Sequence, residues 1–74
     1  MAAKAEVFIT SSVDGRGAYG VRADTDEGVY FPVGIAEAME LEEFEAVEAI
    51  LVANDRAEPA YRAIKVRRLE DAKI

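Results

Sequence analysis

Three segments near the start of the chain combine β-branched and aromatic residues and are separated by turn residues. They cover 7–12 (VFITSS), 18–23 (AYGVRA) and 29–33 (VYFPV). The stretch DGRG at 14–17 lies between the first two, and an Asp-Gly pair between apolar runs favours a hairpin, because both residues tolerate positive φ. A second polar turn, DTDEG, occupies 24–28. The pattern predicts a three-stranded meander.

The middle of the chain is compatible with two structures. Apolar residues recur at roughly helical spacing from Met39 to Leu51, which could make one helix over 35–52. The alternative is a short helical turn over 35–41, an acidic loop, and a strand over 45–53. The run AILVAND favours this second structure, because an apolar run ending in Asn-Asp is typical of a buried strand that enters a turn. We therefore expect a fourth strand there.

A fifth strand is predicted over 60–69, where the sequence AYRAIKVRRL alternates. Ile64 and Val66 are expected on a buried face, and Lys65 and Arg67 on a solvated one. Three meander strands, a helical turn and two further strands follow the order of the OB-fold class. The predicted fold is therefore mainly β, a small five-stranded OB-like Greek-key barrel with a short helical turn between strands 3 and 4.

Length and composition narrow the possible functions. The 74 residues make a single domain over 1–74, with ends expected to fray at about 1–4 and 70–74. Because the chain has no cysteine and no histidine, it lacks thiolate metal ligands and the commonest general base. No carboxylate spacing indicates a calcium loop, and nothing marks a catalytic cleft. We expect no enzyme activity, no cofactor and no metal.

The N-terminus, MAAKAEVFIT, lacks the apolar run of a signal peptide, and the longest apolar run, AILVA, is too short to span a bilayer. We therefore expect a soluble, cytoplasmic protein without a membrane partner. The net charge of −6 opposes indiscriminate binding to nucleic acid. The charge is segregated, however, because no Lys or Arg lies between Arg22 and Arg56. The predicted molecule has an acidic side and a more basic side.

The second and third predicted strands carry aromatic residues beside small ones. GAYGVR places Tyr19 between Ala18 and Gly20, and VYFPV places Tyr30 beside Phe31. In this respect the sequence, over roughly 7–69, resembles the cold-shock domain family. That family has a glycine–aromatic motif on strand two and an aromatic motif on strand three. The resemblance implies a platform on which the bases of single-stranded nucleic acid stack, with Tyr19 and Tyr30 at its aromatic positions.

The chain departs from the family pattern at four positions. Val21 and Val33 stand where aromatic residues are expected, Pro32 where the family has histidine, and Arg22 where it has a buried aliphatic residue. Because the platform lacks several aromatic residues, we expect it either to bind bases weakly or to bind something else.

Strand alternation gives a different orientation for Tyr19 than the resemblance does. If Tyr19 points outward, Arg22 turns toward the core, and an unpaired buried guanidinium is costly. We therefore expect Tyr19 and Val21 to point inward and Arg22 outward, unless a bulge at Gly20 resets the alternation.

Two further aromatic residues depend on which strand face is buried. In the third strand Val29 and Phe31 share the predicted core face, so Tyr30 points outward, either as a stacking surface or as a cover for the barrel edge. Phe8 is exposed if Val7 and Ile9 are core, and would then lie in register with Tyr30. The opposite assignment, with Phe8 buried and Val7 outward, is equally compatible with the pattern.

The sequence supports two functions of different classes. The first is binding of single-stranded DNA or RNA, as in a small cold-shock-like regulatory protein, with these candidate contacts: Phe8, Arg16, Tyr19, Arg22, Tyr30, Lys65 and Arg67. The basic run that also includes Arg62 and Arg68 could instead protect an edge strand or bind acidic neighbours. The second function is a protein-interaction module without nucleic-acid binding. Its acidic surface would contact a basic protein through Glu37, Glu40, Glu42, Glu43, Glu45 and Glu48.

Overall fold

A computed structural model describes residues 2–54 and 59–69 of the chain. The described residues form five strands and one helix of seven residues. In chain order these elements are β1 (Ala3–Val13), β2 (Gly17–Arg22), β3 (Gly28–Phe31), α1 (Val33–Met39), β4 (Ala46–Ala53) and β5 (Tyr61–Arg68).

The strands close into a barrel in the order β1-β2-β3-β5-β4, with β4 paired back onto β1. Neighbouring strands are antiparallel except β3 and β5, which are parallel. This confirms the predicted OB-like barrel, including the short helix between β3 and β4. The alternative of a single helix over 35–52 is wrong, because β4 forms ladders with both β1 and β5.

The barrel interior is filled by apolar side chains from all five strands, most of them smaller than phenylalanine. Val29 and Phe31 are fully buried on β3, as the alternation predicts. The helix α1 packs against β2 and β5, and Ala36 is its buried residue. The largest fully buried side chains are Phe31, Ile9, Leu51, Val7, Val29 and Val47.

Arg68 joins the end of β5 to the end of α1. Its guanidinium donates to the Glu40 carbonyl at 3.2 Å and to the Met39 carbonyl, two acceptors that the helix itself leaves open. The Glu45 carboxylate accepts a further hydrogen bond from Arg68 at 2.8 Å. A basic residue of the predicted charged run is therefore part of the scaffold.

Two bulges interrupt the regular alternation. On β5, Lys65 pairs with Ile50 and Ala63 with Leu51, so Ile64 is an extra residue without a partner. The prediction that Ile64 is buried is therefore wrong: its side chain is 45% exposed, and Ala63 occupies the inward position instead. On β1 the register likewise shifts between Ile9 and Ser11.

The N-terminal end of the chain is more ordered than the sequence predicts. β1 already begins at Ala3, which pairs with Leu51, so Ala3 and Lys4 belong to the sheet although the sequence predicts fraying there. The predicted frayed segment 70–74 lies outside the described residues.

Candidate nucleic-acid interface

Tyr19 and Tyr30 lie side by side on the outside of the barrel. They are register partners on β2 and β3, and the inward positions of β2 are taken by Ala18 and Gly20, which are buried. The expectation that Tyr19 points inward is wrong, since its side chain is 45% exposed. The outward orientation implied by the resemblance is the one observed.

Arg22 explains why the energetic argument against this orientation does not apply. It lies on the inward side of β2 but at the end of the barrel, where its guanidinium donates to both Asp24 carboxylate oxygens, at 3.0 and 2.9 Å. It also lies 5.0 Å from the centre of the Tyr61 ring. The guanidinium is thus paired and stacked, so the cost of an unpaired buried charge does not arise.

This ion pair shifts the pKa of both groups. The hydrogen bond from Arg22 lowers the pKa of Asp24, and the same hydrogen bond raises the pKa of Arg22. Because Arg22 is committed to Asp24 and Tyr61 and lies on the opposite side of the sheet from Tyr30, it does not share an outer surface with Tyr30. The expectation that Arg22 points outward is therefore wrong.

The two tyrosine rings line a concavity on the barrel surface. Their centroids are 5.2 Å apart and their planes are inclined by 48°. The exposed Arg62 of β5 is the register partner of Tyr30. The concavity has a volume of about 330 Å³ and is lined by Tyr19, Tyr30, Asn54, Pro59 and Arg62.

The concavity is bordered on one side by the ends of the β4–β5 connection. Asn54 donates to the Pro59 carbonyl through its side chain at 3.0 Å and to the Ala60 carbonyl through its backbone at 2.9 Å. These hydrogen bonds hold the two ends of the connection together beside Arg62. The site thus combines two rings and a guanidinium on paired strands with a fixed polar margin.

Glycine at position 17 allows Tyr30 to lie against the backbone of β2. A Cβ added to Gly17 would be 3.3 Å from Cε1 of Tyr30 and would overlap the Phe31 carbonyl oxygen. The exposed candidate Arg16 directly precedes Gly17 in the β1–β2 turn, where its amide donates to the Val13 carbonyl at 3.0 Å. Arg16 is not among the residues that line the concavity.

Phe8 points outward, as one of the two assignments predicts, with Val7 and Ile9 fully buried. It is not in register with Tyr30, however. Its cross-strand partners are Val21 and Ala46, and its ring lies 6.3 Å from that of Phe44. Phe8 therefore belongs to a different part of the surface.

Lys65 and Arg67 also lie away from the tyrosine pair, on the part of β5 beyond Arg62, where β5 no longer pairs with β3. Arg67 forms an ion pair with Glu48 at 2.6 Å. Lys65 lines a second depression together with Lys4 and Ile50. The sequence does not link Arg62 to Tyr30, because that proximity depends on the parallel pairing of β3 and β5, for which strand periodicity gives no signal.

The six glutamates predicted as an acidic surface do not behave alike. Glu45 and Glu48 are paired with arginines of β5, and Glu37 accepts a hydrogen bond from the Gly15 amide at 3.2 Å. Glu37 is nevertheless exposed, as are Glu40, Glu42 and Glu43. The acidic segment therefore runs from α1 through the α1–β4 connection into β4. Its charge is partly neutralised in the β4 part by Arg67 and Arg68.

Comparison with models of known protein families, with curated proteins and with solved structures finds no match for this chain. Within residues 2–54 and 59–69, no helix is long and apolar enough to cross a membrane. The same residues contain no group of three or more acidic, histidine or cysteine side chains that could hold a metal ion.

Proposed function

We propose that this protein binds single-stranded nucleic acid through the Tyr19–Tyr30–Arg62 surface. The observation that carries the proposal is the pair of outward tyrosine rings, on adjacent strands, next to an exposed guanidinium. Exposed aromatic faces bind bases by stacking, whatever the nucleotide sequence, and guanidinium groups bind phosphate. The β2–β3 surface is also the surface on which OB-folds bind oligonucleotides.

The expected binding is modest and dependent on salt. Two rings inclined by 48° cannot both lie parallel to one stack of bases, so we expect Tyr19, the more exposed ring, to contribute the main stacking face. The net charge of −6 opposes the approach of a polyanion. Binding to mixed-sequence decamers of single-stranded DNA and RNA should therefore be measured first at low salt, about 20 mM, where repulsion and attraction are both least screened.

Fluorescence anisotropy with labelled decamers tests the proposal. Tyr19→Ala should weaken binding about tenfold or more, because base stacking on an exposed ring contributes about 1–3 kcal/mol. Tyr30→Ala should weaken it in the same direction. Arg62→Ala should weaken binding and reduce the slope of log K against log salt by about 0.7, the value for one phosphate contact on a single strand.

Arg67→Ala is the matched control, because it removes the same charge from the same strand. Arg67 is already paired with Glu48 and lies away from the tyrosine rings, so its loss should leave the salt slope unchanged. Equal effects of Arg62→Ala and Arg67→Ala would mean that the net charge of the protein, and not a contact of Arg62 with phosphate, accounts for the change in binding. If the wild-type protein binds neither decamer at 20 mM salt, the proposal is wrong, and the barrel shares only its architecture with nucleic-acid-binding domains.

A further inference from the structure

A second aromatic surface lies on the outer face of β1. Phe8 and Phe44 approach each other at 6.3 Å between ring centroids, and Val21 and Ala46 are the cross-strand neighbours of Phe8. We call these four residues the Phe8–Phe44 patch. Phe44 is 72% exposed, the highest value among the large apolar side chains that the structure describes. Adjoining exposed apolar side chains of this kind are typical of surfaces that contact another molecule.

The backbone holds Phe44 in this position at a cost. Its φ of +68° is a left-handed conformation that aromatic residues seldom adopt. Two hydrogen bonds to β1 fix it there: the Phe44 amide donates to the Ile9 carbonyl at 2.7 Å, and the Ile9 amide donates to the Glu45 carbonyl at 2.8 Å. Asn or Gly would satisfy the same backbone more easily, so fold stability does not explain a phenylalanine at this position.

The rim of the patch is acidic. Glu6 lies two residues before Phe8 on the same outer side of β1, and Glu43 directly precedes Phe44. Both are exposed, as is Glu42. These carboxylates disfavour a phosphate backbone on the patch. They also disfavour two copies packed patch to patch, because an isologous contact would bring the same carboxylates together.

We infer that the Phe8–Phe44 patch docks a basic segment of a partner protein. An apolar side chain of the segment would cover the two rings, and flanking arginines would face Glu6 and Glu43. Arginine suits this surface because its guanidinium binds carboxylates and also stacks on an exposed aromatic face. The inference stands independently of nucleic-acid binding, because it uses none of the residues of the tyrosine surface.

Titration of the ¹⁵N-labelled full chain with short blocked peptides tests the inference. The probes are a heptapeptide that alternates arginine with leucine, one that alternates arginine with serine, and one that alternates glutamate with leucine. We expect saturable binding of the arginine–leucine peptide alone, with amide shifts concentrated at Phe8, Val21 and 43–46. Phe44→Asn should weaken it about tenfold or more and stay folded, because asparagine tolerates positive φ.

Ile64→Ser is the matched control, since Ile64 is also an exposed apolar side chain but lies on the β5 bulge. It should leave peptide affinity unchanged.

Four outcomes would overturn the inference: no binding of the arginine–leucine peptide, equal binding of the arginine–serine peptide, unchanged peptide affinity in Phe44→Asn, or loss of peptide affinity in Ile64→Ser. Sedimentation that shows a dimer abolished by Phe44→Asn would assign the patch to a second copy. Oligonucleotide shifts at the patch, lost in the same variant, would assign it to nucleic acid.

Discussion

At the scale of single residues, Arg22 shows how position along a strand decides the cost of a charge. Strand alternation places it on the inward side of β2, where the sequence alone suggests a penalty. The last position of a strand opens onto the barrel end, however, and there Asp24 accepts two hydrogen bonds from the guanidinium while Tyr61 stacks on it. Asp24 stands only two residues from Arg22 in the sequence. An Arg22–Asp24 ion pair could be predicted from that spacing only if Tyr19 were already known to point outward.

Asp24→Asn should make stability less dependent on pH in acid. The hydrogen bond from Arg22 lowers the pKa of Asp24 in the folded protein, so its contribution is present above the unfolded pKa and is lost as pH falls below about 4. The variant should melt at a lower temperature than wild type at pH 7, and the difference should shrink toward pH 2. Asp26→Asn makes the same charge change in the same turn and is the control. A constant difference across this range would show that the ion pair does not stabilise the fold.

Phe31→Ala should destabilise the protein by about 3–5 kcal/mol, because it removes a fully buried ring from a small core. That loss is comparable to the whole stability expected of a 74-residue domain. Ile64→Ala is the comparison, and since Ile64 is exposed on a bulge, its loss should cost less than about 1 kcal/mol. Urea unfolding followed by circular dichroism measures both. Similar costs for the two variants would contradict the bulge at Ile64.

At the scale of elements, the sequence predicts the strands well and their irregularities poorly. Period-two alternation and Asp-Gly turn chemistry are local signals, and they locate all five strands to within a few residues. Bulges and the parallel β3–β5 pair depend on how the closed barrel aligns distant strands. This is why the exposure of Ile64 and the proximity of Arg62 to Tyr30 could not be predicted, whereas the burial of Val29 and Phe31 could.

The β1–β2 hairpin offers a matched pair of glycines with positive φ. Gly15→Ala should cost about 1–2 kcal/mol, because φ is +78° but no atom lies within 4 Å of the new methyl group. Gly17→Ala should cost clearly more, because the methyl group at φ +86° would also overlap the Phe31 carbonyl oxygen. Thermal unfolding of the two variants measures the difference. Equal melting temperatures would mean that β2 and β3 can separate freely at this point.

At the scale of the whole molecule, the proposed functions divide the barrel surface by charge. The tyrosine surface has Arg62 within it, whereas the Phe8–Phe44 patch is rimmed by exposed glutamates. The molecule measures 34 × 26 × 18 Å, and the Debye length grows from about 10 Å at 0.1 M salt to about 20 Å at 20 mM, so at low salt the charges of opposite sides lie within about two Debye lengths of each other. The glutamates therefore act on any polyanion that approaches the tyrosine surface at low salt, without touching it.

The double variant Glu42→Gln, Glu43→Gln tests this long-range effect together with the proposed function. Each carboxylate opposes a distant phosphate by only about 0.2 kcal/mol in water, but several phosphates act together, so association with a single-stranded decamer should accelerate about twofold at 20 mM salt. The dissociation rate should not change, because neither side chain lies in the tyrosine surface. At 0.5 M salt the difference in association rate should vanish through screening.

Stopped-flow measurement at both salt concentrations separates the association rate from the dissociation rate. An altered dissociation rate would place the acidic connection within the contact itself, and an unchanged association rate at low salt would mean that the oligonucleotide approaches without sensing the net charge.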